Sequence, residues 1–324
     1  MSKQRPLAPA GYRALAPAKV NLGLFLGPRR ADDAKHELVS VMQSISLADE
    51  LLLEQAPAGT PADEVLCPAL AGTNGENLAA RALRAFRAAT GWQAPPLRLS
   101  IVKRIPIAAG LGGGSADAAA ALRLAALASG LGDEQLLREL GAELGADVPA
   151  QVAPGRWLAG GAGERLLALP DPYPALELLV LPQAVGLSTA DVYTAADQLG
   201  LERGRQELSR LGAKLRASME LGAPLPATSE LLQNDLQAAA VSLLPTIAES
   251  LMKMREAGAA QAIVSGSGPT VVGLFDRANA AGRVLRAAAE LSGQAPAPIP
   301  ARSVDARFAR AQELEPPGAD GPRD

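Results

Sequence analysis

The sequence predicts a two-domain protein that mixes helices and strands. Three observations carry that prediction. The length, 324 residues, fits two domains or one large one. Near the N-terminus apolar residues alternate with period two, and soon after they group at helical spacing, so both element types share the first half. The turn "PDPYP" then precedes a fresh strand signal, "PALELLVLPQ", which opens a second unit. The expected domains are residues 11–170 and 171–304, with residues 305–324 as a tail that does not fold. Apolar residues make up 48% of the chain but aromatics only 3%, so Ala, Leu and Val must fill the cores.

The elements follow in order. In "LAPAKVNLGLFL", Ala18, Val20, Leu22, Leu24 and Leu26 share one face of a strand, and Lys19, Asn21, Gly23 and Phe25 the other. "GPRRADDAKHELVS" opens as a turn, and "VSVMQSISLADELLLEQ" reads as further strand. After a loop at 56–64, "NGENLAARALRAFRAATG" is an amphipathic helix closing at Gly91. "LRLSIVKR" is a strand with Leu97, Leu99 and Ile101 on one face. A glycine-rich loop leads into an alanine-rich helix that runs towards Gly130, with Ser115 as N-cap and Asp117 in the first turn. A helix over "DEQLLRELGAEL" ends at Gly145, and a loop with further strands follows. In the second unit, residues 188–220 are helical and polar. "PATSELLQNDLQAAAVSLLPTIAESLMKMREAG" is one helix or two, broken near Pro245. "AQAIVSGSGPTVVGLFD" is two strands around a glycine turn, and "RANAAGRVLRAAAELSG" is a last helix.

Composition excludes several function classes. A net charge of −3, spread along the chain, gives no basic field for nucleic acid. The single cysteine, Cys67, cannot form an internal disulfide, which fits a reducing compartment. The N-terminus lacks an apolar core of signal-peptide length, and no apolar run approaches the ~18 residues of a membrane span. A cytoplasmic location is expected. Of the 31 basic residues six are lysines, so a lysine in an apolar stretch stands out.

Several segments could carry chemistry, and each has a plainer structural reading. In "IPIAAGLGGGSADAAAA", glycines let backbone N–H groups converge, and the following helix adds the positive end of its dipole; together they suit a phosphate. The same residues also make an ordinary turn and helix start. The loop is not a Walker A motif, because no lysine occurs between Lys103 and Lys214. Nor is it a dinucleotide fingerprint, because Ser115 stands where a third glycine belongs. Lys19 and Asn21 put a cation and an amide side by side, either in a cleft or on a solvent-facing strand. Asp147, in "LGADVPAQ", is either a base for a hydroxyl or a turn residue. His36 is the only histidine, which excludes a histidine-rich metal site and any serine triad not built on it. "SGSG" at 265–268 is a hairpin turn or a second loop that closes on a ligand.

The order of these segments is more informative than any one of them. "PAKVNLGLFL", "PIAAGLGGGSADAAAAL", "LGADVP" and "GSGPTVVGLFD" resemble, in that order, the GHMP kinase superfamily, named for its galactose, homoserine, mevalonate and phosphomevalonate kinases. The resemblance spans most of the chain, from residue 16 to about residue 290. "RADDAKHEL" with "SLADEL", "GAGERL" and "NDLQ" look like one branch of it. That branch phosphorylates the 2-hydroxyl of 4-diphosphocytidyl-2-C-methyl-D-erythritol with ATP, on the non-mevalonate route to isoprenoid precursors.

The resemblance implies an α+β, two-domain GHMP kinase fold. Its N-terminal domain would be ribosomal protein S5 domain 2-like and its C-terminal domain α+β and ferredoxin-like, with the active site in the cleft between them. It implies Lys19 and Asp147 as the catalytic pair. It places the ATP phosphates on Pro106, Ile107, Ala108, Ala109, Gly110, Leu111, Gly112, Gly113, Gly114, Ser115 and Ala116, with Ser115 also touching ATP-bound Mg2+. Asn21, His36 and Tyr193 would contact the acceptor, His36 reading the cytosine and Tyr193 giving it an aromatic face. The implied cofactors are ATP and Mg2+, and the implied state is monomer or homodimer, with no nucleic-acid or membrane partner. One departure is specific to this chain. Where the branch usually reads Gly-Tyr-His, this chain reads Ala34, Lys35, His36 after an extra residue, so a lysine stands where an aromatic would stack on cytosine. Other readings of the same motifs are a homoserine- or mevalonate-type kinase and a non-catalytic ATP and small-molecule sensor.

Overall fold

The computed structural model describes residues 7–70, 77–220, 222, 229–275 and 278–315. Two β-strands of unusual length organise the N-terminal half. β1 (Tyr12–Arg29) and β2 (His36–Gln55) pair antiparallel almost throughout. β2 is long enough to serve two further partners. Its Glu50–Gln55 half pairs with β4 (Leu97–Val102), and its Ser40–Gln43 stretch pairs with β5 (Arg156–Gly160). β3 (Glu64–Leu66) lies parallel to β4, and β6 (Arg165–Leu169) pairs with β5. β11 (Gln312–Glu313) returns to the open edge of β1 and completes a seven-stranded sheet.

Helices α1 (Leu78–Thr90), α2 (Gly113–Ser129), α3 (Glu134–Leu144) and α4 (Val148–Val152) accompany this sheet. α2 packs against β1, α1 and α4 at once and is buried nearly all round. Its alanines make this possible, because a side chain of one carbon lets neighbouring backbones approach closely. Leu122 and Leu124 add about 1.5–3 kcal/mol each through burial. Gly91 and Gly130 end α1 and α2 in left-handed conformation.

The second half holds a four-stranded antiparallel sheet of β7 (Glu177–Leu181), β8 (Gln261–Val264), β9 (Val271–Leu274) and β10 (Ile299–Arg302). The order β10-β7-β9-β8 is the ferredoxin-like arrangement. Helices α5 (Thr189–Gln198), α6 (Arg205–Met219), α7 (Gln237–Leu243) and α8 (Thr246–Glu256) lie between β7 and β8 in the chain, and α9 (Ala280–Glu290) between β9 and β10. The step from one sheet to the other falls between Leu169 and Glu177. No described helix is long and apolar enough to cross a membrane.

The structure corrects several expectations. β1 does not keep one apolar face, because its register shifts between Pro17 and Lys19 and between Asn21 and Gly23. Val20, Leu22 and Phe25 therefore enter the first core, while Leu24 and Leu26 enter the second. A Cβ at Gly23 would lie 2.6 Å from the Leu231 carbonyl oxygen, so glycine lets residues 229–236 cross here. Leu24 N donates to Gln233 O, and Asp235 N to Leu24 O. That pairing holds 229–236 out of helix, so the expected helix begins only at α7 and breaks at Leu244–Pro245. Ser115 is not the N-cap of α2. Gly112, in left-handed conformation, takes that place, and Ser115 is the helix's third residue. Residues 305–315 do not behave as a tail: Ala309 is fully buried and Leu314 N donates to Gly11 O. The rest of the expected tail, 316–324, lies outside the described residues.

Candidate active site

Two of the three register shifts in β1 flank the same two residues. Lys19 and Asn21 are thereby turned towards the gap between the sheets, each buried but facing a cavity of about 600 Å³. Lys19 Nζ donates to Asn21 Oδ1 at 2.8 Å and lies 3.4 Å from Asp147 Oδ2. Asn21 Nδ2 donates to Ser40 Oγ at 2.7 Å, and Ser40 Oγ to Gly23 O at 2.8 Å, which fixes the amide with its oxygen towards the ammonium. Asp147 immediately precedes α4, with Pro149 in that helix's first turn. Its carboxylate is partly open to solvent, as a group that meets a substrate must be.

The glycine loop closes on this pair. Lys19 N donates to Leu111 O at 2.9 Å. A Cβ on Gly112 would lie 2.9 Å from Lys19 Cγ, and one on Gly110 2.5 Å from Gly268 O. Both glycines also have positive φ, so the loop needs them for space and for backbone conformation alike. The "SGSG" turn is the second loop of the site, not merely a hairpin. Ser265 Oγ accepts from Asn21 N and donates to Gly110 O. Asn234 clamps the turn from behind, its Nδ2 donating to Val264 O and Gly266 O at 2.8 and 2.6 Å.

A second cavity, of about 900 Å³, lies on the other side of the glycine loop. Residues 106–115 form one wall, and Val65, Leu66, Cys67 and Leu70 form an apolar wall. Gly110, Gly112 and Ser115 border both cavities, so the loop is the partition between them. Ala116 is the exception in the expected phosphate loop: it is buried in α2 and lines neither space. The apolar wall was not read from the sequence as part of a site, since β3 and the turn after it give only short, ambiguous signals.

At the far end of the smaller cavity are His36, Tyr193, Lys35 and Arg29. The His36 ring is buried, and Nδ1 donates to Gly27 O at 2.8 Å. Nε2 lies 2.7 Å from Asp197 Oδ1 without an aligned hydrogen bond. Arg29 binds the same carboxylate. Arg29 first, with smaller help from His36, holds Asp197 below the usual carboxylate range. Tyr193 faces the His36 ring, centroids 5.7 Å apart and planes at 37°. Burial, reinforced by Asp147, pushes its hydroxyl up to about 12, so it stays protonated. Lys35 is largely exposed at the rim, 3.9 Å from Asp33. Arg29 and Asp197 were missing from the sequence reading, because nothing local marks a residue in α5 as the partner of one at the end of β1.

Could the site hold a metal ion? Among the described residues, no group of three or more His, Cys, Asp or Glu is placed to do so. A cation carried on a nucleotide needs fewer protein ligands, and the Ser115 hydroxyl is a hard oxygen donor where the cavities meet.

A glycine loop parting two cavities, with a lysine–aspartate pair at the seam, defines a phosphoryl-transfer enzyme of the GHMP kinase class. Residues 77–155 match the GHMP kinases N terminal domain family, and residues 205–292 the GHMP kinases C terminal family. The chain is 40% identical over 275 residues, 82% of each chain, to the 4-diphosphocytidyl-2-C-methyl-D-erythritol kinase of Anaeromyxobacter dehalogenans (strain 2CP-C). It is 40% identical over 299 residues to that of Methylobacterium radiotolerans, covering 87% of this chain and 94% of the relative. A crystal structure of 4-(cytidine 5'-diphospho)-2C-methyl-D-erythritol kinase superposes with a TM-score of 0.70 at 32% identity, over 90% of this chain and 98% of that one. Homoserine kinase from Cytophaga hutchinsonii, at 14% identity and a TM-score of 0.68, shares the fold over 93% of this chain and 97% of its own. The chain belongs to the 4-diphosphocytidyl-2-C-methyl-D-erythritol kinase family of GHMP kinases.

Proposed function

We propose that the protein transfers the γ-phosphoryl group of ATP to the 2-hydroxyl of 4-diphosphocytidyl-2-C-methyl-D-erythritol, in the cytoplasm. The observation that carries this reading is the Lys19–Asp147 pair beside Gly112, where the two cavities meet. ATP takes the larger cavity, its base against the apolar wall and its phosphates along the glycine loop. The acceptor takes the smaller one, its cytidine end towards His36 and Tyr193. Relatives that carry out this reaction by name, at 40% identity over most of the chain, support the choice of acceptor.

The hydroxyl oxygen attacks the γ-phosphorus as the bond to the ADP oxygen breaks, and the hydroxyl proton passes to Asp147. Lys19, 3.4 Å from that carboxylate, offsets charge on the transferring group. The protein does little covalent chemistry here; it positions the groups and supplies fixed positive charge. Backbone N–H groups at the start of α2 and the helix dipole add to that charge. Mg2+ on the nucleotide would supply further charge neutralisation, with Ser115 as its protein ligand. Asn21 holds the ammonium in place, and Asp197 with Arg29 fixes the His36 ring.

ADP release measured with diphosphocytidyl-methylerythritol, homoserine and mevalonate in turn tests the proposal. Turnover with the first alone is expected. Turnover with homoserine alone, or with none of the three, would overturn it.

A further inference from the structure

Lys103, one of the few lysines, sits outside the catalytic pair and is almost fully buried. Its Nζ donates to Asp117 Oδ2 at 2.7 Å and to Asp49 Oδ2. The side chains of Lys103, Asp49 and Asp117 are 7%, 0% and 3% exposed. Asp49 Oδ1 accepts the backbone N–H groups of Arg104 and Ile105, at 2.5 and 2.8 Å. Lys103 lies three residues before Pro106, where the glycine loop begins, and Asp117 lies two residues past Ser115, so the triad ties both ends of the loop to β2. Lys103 and Asp117 also line the nucleotide cavity, and a Cβ on Gly113 would lie 3.3 Å from Lys103 Nζ.

Three buried charges are a poor way to gain stability, since desolvation consumes most of what their pairing returns. Their arrangement makes more sense as a device for holding the loop. The charges do not balance either: two carboxylates face one ammonium, and Asp117 Oδ1 is buried without a hydrogen-bond partner. Burial first, then Asp49, pushes the Asp117 carboxyl up to about 7 against the opposing pull of Lys103. Burial works against the Lys103 charge, yet the two carboxylates hold its pKa above the ordinary value. The Cys67 thiol after β3, which burial pushes up, also feels this cluster.

We propose that Asp49, Lys103 and Asp117 are positioning residues for the nucleotide phosphates, holding the glycine loop in its nucleotide-receiving form. The proposal rests on the nucleotide occupying the larger cavity, not on the identity of the acceptor. Calorimetric titration with Mg2+ and a non-hydrolysable ATP analogue, without acceptor, therefore tests it independently of turnover. Asp117→Asn keeps the shape and an acceptor for Lys103. Asp117→Asn should therefore keep nucleotide affinity within about threefold of wild type. Asp117→Ala and Lys103→Met should each weaken nucleotide binding by about tenfold or more. In steady-state assays of the same two variants, the ATP KM should rise while the acceptor KM holds. A loss in Asp117→Asn equal to that in Asp117→Ala would overturn the part played by the side chain's shape and its acceptor for Lys103. Unchanged nucleotide affinity in Asp117→Ala, or an equal rise in both KM values, would overturn the positioning role.

Discussion

The Lys19 ammonium stands 3.4 Å from the Asp147 carboxylate and is held there by Asn21, 2.8 Å away. Groups placed this way act as one unit. Asp147→Asn preserves shape but removes the proton acceptor, so kcat should fall by about 100- to 10,000-fold. ATP affinity, measured by calorimetry, should stay near normal. Lys19→Met should cost kcat to a similar degree. The double variant should lose scarcely more than either single one, because the second change removes a partner already disabled. A fully active Asp147→Asn enzyme, or strictly additive losses, would count against the assignment.

Gly112 is the residue on which that pair is assembled. Its φ is +69° and an added Cβ would press on the Lys19 stem. Gly130, at the end of α2, has the same φ with nothing within 4 Å. Alanine at either site brings the same backbone strain, but only at 112 does it displace Lys19. Gly112→Ala should therefore lower kcat by about 100-fold, the scale of a small misplacement at a reacting centre. Gly130→Ala should cost only stability, seen as a lower Tm. Equal kcat in both variants would show that Gly112 supplies flexibility and not room.

Much of this site could be read from the sequence because its residues lie in short local patterns. Lys19 and Asn21 on one strand, the glycine loop and Asp147 before a proline are each visible within a few positions. The long hairpin, α1 to α3 and β7, β8 and β9 of the second sheet were legible for the same reason, as periodic runs between turn residues, whereas the short β10 was not. What was hidden depends on long-range contact. The register shifts of β1 arise from pairing with β2 and from residues 229–236 crossing at Gly23. β11 forms only because the edge of β1 is open. Asp197 reaches His36 from a helix more than 150 residues away, and Asp49 reaches Lys103 across two strands.

Lys35 occupies the position where the family usually places an aromatic, at the rim beside Tyr193. In the proposed acceptor site, Tyr193 is then the main aromatic surface for the cytosine. An added aromatic stack brings about 1 kcal/mol. Lys35→Tyr should accordingly lower the acceptor KM by about fivefold with kcat unchanged. Tyr193→Phe should retain acceptor KM, and Tyr193→Ala should raise it. An acceptor KM indifferent to both positions would place the cytosine elsewhere.

The neighbouring Ala34 has φ +57°, a conformation that suits glycine. The extra residue in this turn leaves the alanine in a position where the family usually has glycine. Ala34→Gly should stabilise the protein by about 0.5–1 kcal/mol, the strain relieved less the entropy glycine adds to the unfolded chain. Denaturant unfolding would show a higher midpoint at an unchanged m-value. A lower midpoint would mean that the turn, not the residue, sets the conformation.

Asp117 makes stability depend on pH in an unusual direction. Burial raises its carboxyl from an ordinary value near 3.8 to about 7, so the folded chain binds the proton more tightly than the unfolded one. Stability from this group is complete below the unfolded value, declines as pH rises between the two values, and levels off above about 7. Paired carboxylates such as Asp197 act oppositely: their stabilisation fades as pH falls through a lowered folded value. Asp117→Asn removes the first effect and leaves the second. Relative to that variant, wild-type Tm should fall from pH 5 to about pH 7 and then run parallel to it. A wild-type Tm that instead rose against Asp117→Asn over that range would mean that the Lys103 pair keeps Asp117 ionised throughout, and that the buried triad carries its negative charge at every pH the enzyme meets.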